Sequence, residues 1–375
     1  MQYTEYELGE LLPFEQPTAY IVKSTDYSDA YTTPVLTAGK SFILGKTNET
    51  DGIFDQLPVI IFDDFTTATQ FVNFKFKVKS SAMKILHINT DLVIPKYIFY
   101  RLQIIQFDHS THKRYWIQSY SKIKVSIPSL DEQSRIVSRI DELFSELDKA
   151  VDTLKTTKEQ LAVYRQVILV DAFKEALGSP YFEIEQMCDK IVDCPHSTPK
   201  WTEYGELCLR TTNFKRGYLD LQVPNYVSKE AFDERNRRIT PSPGDVLYSR
   251  EGSILGIACI IPEGINPCLG QRMMLLRTKD TLNNRYLMHY LNSPTVTNHV
   301  IATKGGTGSP HINVGDIKAF PIPVPEIDIQ EKIVNDLEEK LSVCDGVEKT
   351  VDAALAQADA MRQSILKQAF EEGIV

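Results

Sequence analysis

Apolar residues recur at three- and four-residue steps through two long stretches of the chain. In the first, Ile136, Ile140, Leu143, Leu147, Val151 and Leu154 follow one face, and Leu161, Tyr164 and Ile168 continue it. In the second, the same steps run through Ile333, Leu337, Leu341, Cys344, Val347, Val351 and Leu355. This spacing is that of a coiled-coil seam. No proline falls within 129–179 or 326–375, so each stretch is expected to be one helix, roughly 65–70 Å long at 1.5 Å per residue. Ser129 and Glu132, in capping-box spacing after Pro128, mark where the first begins. The sequence Leu177-Gly178-Ser179-Pro180 ends it. One seam of this length is unstable alone in water, so the two helices are expected to pair.

The two stretches are also copies. Residues 127–177 align with 324–374 without a gap, and about a third of the positions are identical. Periodicity accounts for the apolar matches. It does not account for Pro128/Pro325, Asp131/Asp328, Gln133/Gln330, Arg165/Arg362, Gln166/Gln363 or Phe173/Phe370. Each half of the chain is therefore a globular region followed by a rod: 1–126, 127–178, 179–323 and 324–375. A two-fold relation would set the rods antiparallel and the globules at opposite ends. On the outer rod faces, Asp141, Glu142, Glu338, Glu339, Asp345 and Asp352 are expected to be free for solvent or partner subunits.

The globular regions read differently. Short alternating or apolar runs separated by turn residues predict strands, among them Leu57–Phe65 and Gly244–Arg250, and Tyr97 and Tyr286 open comparable helices. Only that helix and the strand entering each rod align by eye, so the globules are expected to have diverged while the rods were kept. The fold class is α+β.

Net charge is −9, which by itself disfavours a nucleic-acid partner. Its distribution changes that. The four segments carry 0, −3, +1 and −7, so the acidity lies in the helical repeats. Either globule can hold a local basic face. No apolar run is long enough for a membrane span, and the acidic, polar start is unlike a signal peptide. Six cysteines without a regular spacing suit a reduced, cytoplasmic setting.

Several apparent motifs carry no chemistry. The Ala38-Gly39-Lys40-Ser41 run resembles the end of a phosphate-binding loop, but Pro34 stands where the motif needs glycine. Asp63 and Asp64 lack a nuclease-type partner and are expected to serve a turn. Cys188, Cys194 and His196 fit no usual zinc spacing. The Gly-rich run at 305–308 lacks the surroundings of a dinucleotide site. No catalytic constellation and no metal site emerge.

What remains is binding chemistry. Cationic and amide side chains read base edges, and hydroxyls hold phosphates. Such residues gather in loops of both globules. The first offers Lys40, Thr66, Thr67, Lys79, Ser80, Lys113 and Arg114. The second offers His196 and Lys200, then Arg210, Thr212, Asn213 and Lys215, then Arg250, Gln271 and Arg272. Lys304, Gly305, Thr307 and His311 complete its set.

The duplicated Pro-x-x-Asp-x-Gln-x-x-Ile-Val entry and the Arg-Gln-x-Ile-Leu-x-x-Ala-Phe exit at 165–173 and 362–370 resemble the repeated regions of type I restriction–modification specificity subunits. The runs 243–260 and 305–325 resemble their target recognition domains, as do 35–47 and 58–72. The resemblance implies two such domains joined by two long antiparallel coiled-coil helices, a pseudo-two-fold repeat. Each head would bind one half of a split, asymmetric sequence in double-stranded DNA. The helices would set the gap and dock two modification subunits, with restriction subunits joining the full complex. S-adenosylmethionine, ATP and Mg²⁺ would belong to those partners, and this chain would hold no cofactor and catalyse nothing alone. Two other readings differ in class: a helical scaffold whose heads bind proteins, and a self-contained DNA-modifying enzyme.

Overall fold

The computed structural model describes residues 3–37, 41–107, 114–303 and 310–371. The chain divides into two compact units, one formed by 1–154 with 353–375, the other by 155–352.

In the first unit, β1 (Thr4–Glu7) leads into the single turn α1 (Leu8–Leu11), then β2 (Phe14–Glu15), β3 (Thr33–Leu36) and β4 (Ile43–Thr47). Four more strands follow: β5 (Val59–Asp63), β6 (Thr69–Val72), β7 (Lys77–Val78) and β8 (Met83–His87). Helices α2 (Pro95–Leu102) and α3 (Tyr115–Gln118) precede β9 (Lys124–Ile127) and the long α4 (Leu130–Ala172). The strands form a four-stranded sheet in the order β2-β8-β5-β6, a three-stranded sheet β4-β3-β7 and the pair β1-β9. Strand β5 is buried along its whole length, as a central strand covered on both faces must be.

The second unit opens with β10 (Tyr181–Glu183), β11 (Cys188–Asp193) and β12 (Glu206–Leu209). A small hairpin of β13 (Phe214–Lys215) and β14 (Tyr218–Leu219) and the short β15 (Tyr226–Val227) come next. Helix α5 (Lys229–Arg235) then separates them from β16 (Val246–Ser249), β17 (Ala258–Ile260), β18 (Cys268–Leu269) and β19 (Met273–Thr278). Helices α6 (Asn284–Asn292), α7 (Pro294–Thr303) and α8 (Val314–Lys318) lead to β20 (Pro321–Pro323) and the long α9 (Ile327–Glu371). Its sheets are β11-β19-β16-β17, β15-β12-β18 and β10-β20.

Strand for strand, the two orders are the same. The registers agree too: Asp63 faces Met83 in the first unit and Ser249 faces Met273 in the second. In both three-stranded sheets the middle strand runs parallel to the last and antiparallel to the first. The expected divergence of the globules is thus confined to side chains and insertions; the topology repeats. Sequence alignment by eye misses this because a buried strand asks only for apolar bulk, which many residues supply.

The matched residues of the repeat explain why it persists. Gln133 and Gln330 are fully buried. Gln133 accepts from the N–H of Ile94 at 2.7 Å and donates to the carbonyls of Leu92 and Pro128. Gln330 does the same with the N–H of Asn283 and the carbonyls of Thr281 and Pro325. Each amide satisfies backbone groups at the start of the short helix and the start of the long one together, so it fixes one against the other. A second latch repeats with altered residues. Asp141 on α4 takes Lys96 at 2.6 Å and the Tyr100 hydroxyl at 2.5 Å. Glu338 on α9 takes Arg285 and, at 3.0 Å, His289.

The long helices pair antiparallel inside each unit. In the first, Ile136 and Ile140 share a core with Leu366 and Ala369, and Arg362 bonds Asp148. In the second, Leu161, Ile168 and Leu169 meet Leu337, Leu341 and Cys344. There Lys158 holds Asp352 at 2.7 Å, and Arg165 holds Asp345 and Glu348 at 2.7 and 2.9 Å. The expectation that the acidic residues of the outer faces are free is therefore corrected for five of the six; Glu339 is exposed. Asp141, Glu338, Asp345 and Asp352 bind cations of the same unit, and Glu142 pairs with Arg139 along α4. Tyr164 and Val347, placed on the seam by periodicity, are instead exposed. Ser129 does cap α4, accepting from the N–H of Glu132 at 3.4 Å, whereas the Glu132 carboxylate turns to Arg135.

Candidate nucleic-acid interface

Among the described residues, the candidates follow β5 and β7 and precede α3 in the first unit, and in the second they follow β11, β12, β16 and β18 and precede α8; β5 and β7 are the counterparts of β16 and β18. In the first unit, Asp63 closes the β5–β6 turn. It accepts from the N–H of Phe65 at 2.9 Å and from the Thr66 hydroxyl at 2.8 Å. Thr67 follows in the left-handed region at φ 59°, a conformation that side chains with a branched Cβ rarely adopt. Asp64 is buried. It pairs with Lys84 at 3.3 Å and accepts from the N–H of Trp116 at 2.8 Å, while its carbonyl takes the N–H of Tyr115. This ties Arg114, exposed just before α3, to the same end of the sheet as Thr66 and Thr67. Lys79 and Ser80 sit in the exposed β7–β8 turn, with the Lys79 ammonium 5.9 Å from the Tyr27 ring. The two aspartates thus serve the loops.

In the second unit, Arg250 occupies the position of Asp64. Its N–H bonds the Arg272 carbonyl at 3.0 Å, and its carbonyl accepts from the N–H of Ile312. Its guanidinium lies on Asp193, at 2.7 and 3.0 Å. The same position thus carries an ion-paired side chain in both heads, an acid in one and a base in the other, with partners from different strands: Lys84 on β8 and Asp193 on β11. The side chain of Arg250, a candidate reader by composition, is 9% exposed and committed to Asp193. The same holds for Asn213, which is buried with its amide on the Arg210 N–H and the carbonyls of Asp220 and Val223.

Around this brace the remaining candidates converge. His196 approaches Asp193 at 3.2 Å. Gln271 bonds Thr198 at 3.1 Å and donates to the His196 carbonyl. Arg210 lies over the Trp201 indole at 5.0 Å, a cation–π contact that positions its planar guanidinium. Arg272 is exposed, in the left-handed region at φ 67°, within 3.8 Å of Glu251. Such a backbone costs on the order of 1 kcal/mol or more and persists only where neighbours impose it. Gly270 precedes it, and a Cβ there would come within 2.3 Å of the Leu209 carbonyl. Thr198, Trp201, Arg210, Gln271 and Arg272 line a pocket of about 180 Å³. His311 joins through a bridge with Glu251. Lys200 is on the same loop as His196 and lines a neighbouring cleft. Thr212 follows Arg210 in a short 3-10 turn. Lys215 is apart, on the β13–β14 hairpin, 3.9 Å from Asp220. Lys40, Lys113, Lys304, Gly305 and Thr307 lie outside the described residues.

Two features go beyond the sequence candidates: Trp201 as a stacking platform, and the basic run Arg235, Arg237 and Arg238. The run is visible as charge, but it falls in a short helix and its exit, where charge by itself marks only a solvated face.

Two heads of one topology, each presenting polar and cationic loops from the same sheet end, joined to duplicated helices, define a class of paired recognition module. Comparison with known proteins gives that class its family. The family model for the type I restriction modification DNA specificity domain matches twice, at residues 2–161 and 182–356. The chain is 31% identical over 371 residues to the EcoR124I/EcoR124II specificity subunit of Escherichia coli, spanning 95% of this chain and 92% of that one. Similarity to the EcoKI specificity subunit of E. coli K12 is 26% over 271 residues, 67% of this chain and 58% of that protein. Among solved structures, one from a study of assembly and conformational transition in a type I R-M system matches 99% of this chain and 98% of its own. Its TM-score is 0.72 at 17% identity. The HsdS subunit of Thermoanaerobacter tengcongensis covers 99% and 97%, with a TM-score of 0.54 at 18% identity. The chain belongs to the type I restriction–modification DNA specificity family.

Proposed function

We propose that each head reads one half of a bipartite, asymmetric target in double-stranded DNA. The observation that carries this reading is the repeated topology: two equivalent loop sets, furnished with different side chains, suit two different half-sites. In the second head, Arg210 and Arg272 have the donors that recognise guanine edges, while the Gln271 amide, bonded to Thr198 and the His196 carbonyl, holds the loop between them. In the first, Lys79 and Ser80 follow β7, the counterpart of β18, and Arg114 and the Thr66–Thr67 turn are tied to one sheet end by Asp64 and Asp63. Arg250 and Asn213 position these loops and do not read bases.

The chain supplies recognition and no chemistry. Methyl transfer to adenine would be the work of two modification subunits holding S-adenosylmethionine. Cleavage would be the work of restriction subunits using ATP and Mg²⁺. The long helices have a surface suited to docking the modification subunits. On α4, Val163, Val167 and Val170 are 65%, 47% and 40% exposed at steps of four and three. They form a stripe distinct from the buried one at Leu161, Ile168 and Ala172. We place this work in the cytoplasm, beside the host DNA; no helix among the described residues is long and apolar enough to cross a membrane.

The direct test maps methylated adenines in a host carrying this chain with the modification subunit of its system. An interrupted motif with two unlike halves is expected. A continuous or symmetric motif would contradict the reading. Methyl transfer by the purified chain alone would instead favour a self-contained enzyme.

A further inference from the structure

The second unit has a cleft of about 680 Å³ that shares Thr198 and Pro199 with the smaller pocket of Arg210, Gln271 and Arg272. Its walls are the loop from 195 to 202 and α5 with its exit. Lys200, Arg237 and Arg238 are exposed in it, among the hydroxyls of Thr198, Thr202 and Ser228.

At its base lies Arg235, buried and bonded only to carbonyls and a hydroxyl. It donates to Leu269 and Gly270 at 2.9 and 3.0 Å and to the Ser197 carbonyl at 2.6 Å. Among the described residues no carboxylate pairs with it. Carbonyls orient a guanidinium without cancelling its charge, and a buried uncompensated cation is costly. The one acidic lining residue, Glu234, gives its carboxylate to Arg237 at 3.0 Å. Four cations against one carboxylate leave the cleft strongly positive, although the whole chain is acidic.

From this arrangement we infer that the cleft is a phosphate clamp for the DNA backbone flanking the half-site read by the second head. Cations on long exposed stems beside hydroxyls suit phosphate oxygens and carry no fixed pattern for a base edge. The buried Arg235 supplies a permanent field and fastens the reading turn at 269–270 to the loop at 197, so clamp and reader share one support. Among the described residues, no helix stands between β4 and β5 of the first unit in the place of α5. The inference rests on DNA recognition by the second head.

The test uses the full chain assembled with its modification subunits, the double variant R237A/R238A, and a salt series. The duplexes are the mapped target and one with the second half-site scrambled. The expected result is weaker binding to both duplexes by the same factor and an unchanged methylated motif. The slope of log K against log salt should be shallower by about two, near 0.9 for each phosphate no longer neutralised. R237K/R238K should restore the slope, and thermal melting should match the parent. An unchanged slope, or a motif relaxed at any base pair, would overturn the clamp. A separate arm with R272A tests the reader. If its motif stays intact, the base-reading assignment fails, while the clamp is judged by the slope alone.

Discussion

Single side chains in this molecule divide into those that face outward to read and those that hold the readers. Arg272 and Arg250 are the clearest pair, and a simple substitution separates them. Arg272→Ala removes exposed donors and leaves the fold untouched; a lost base-edge contact costs about 1–3 kcal/mol and relaxes one base pair. Methylated-motif mapping checks this. Arg250→Ala strands Asp193 in a nearly buried site and should cost the unit about 3 kcal/mol, seen as a lower melting temperature. His289 adds a pH signature. Burial first, and Arg285 next to it, push its imidazole down to about 4. Glu338 faces the ring, but its charge is already taken by Arg285. A neutral native histidine means the unfolded chain binds the proton first. Stability is then full above about pH 6.5 and falls as pH drops toward 4, by at most about 3 kcal/mol. His289→Gln should flatten that part of the pH–stability curve for the second unit.

At the scale of elements, the fold turns on how short helices are seated on long ones. Gln133 and Gln330 each satisfy three backbone groups in a dry site. Gln330→Ala leaves the Asn283 N–H and two carbonyls without a partner, a loss of about 2–3 kcal/mol, measurable by denaturant unfolding. Gln133→Ala should behave alike in the first unit. Both glutamines stood out in the sequence because they matched across a duplication where helical periodicity asked nothing of them. Their task was hidden, since it lies in backbone groups 39 and 47 residues away. The helices were legible for the opposite reason: three- and four-residue steps are local. Tyr164 and Val347 mark the limit of that logic, because periodicity names an apolar face without saying whether a partner covers it. The shared topology of the heads was illegible, as it resides in strand order and register. The candidate loops were found by composition, which also swept in Arg250 and Asn213. Composition cannot tell a guanidinium facing solvent from one folded onto Asp193.

Across the whole molecule, labour is divided between two equivalent heads and a helical repeat. Each long helix contributes one part to each unit without a break. Inserting seven residues into both, after Leu154 and after Asp352, keeps the apolar faces in phase. It adds about 10 Å of helix, near three base pairs. The mapped motif should then keep both halves and gain that spacing; an unaltered gap would remove the helices from the role of setting it. The most direct measurement is methylated-motif mapping after residues 181–323 are exchanged for the matching region of another family member. One half of the target should change to the donor's half, with the other half and the gap retained. A change in both halves, or in neither, would contradict independent reading by the two heads.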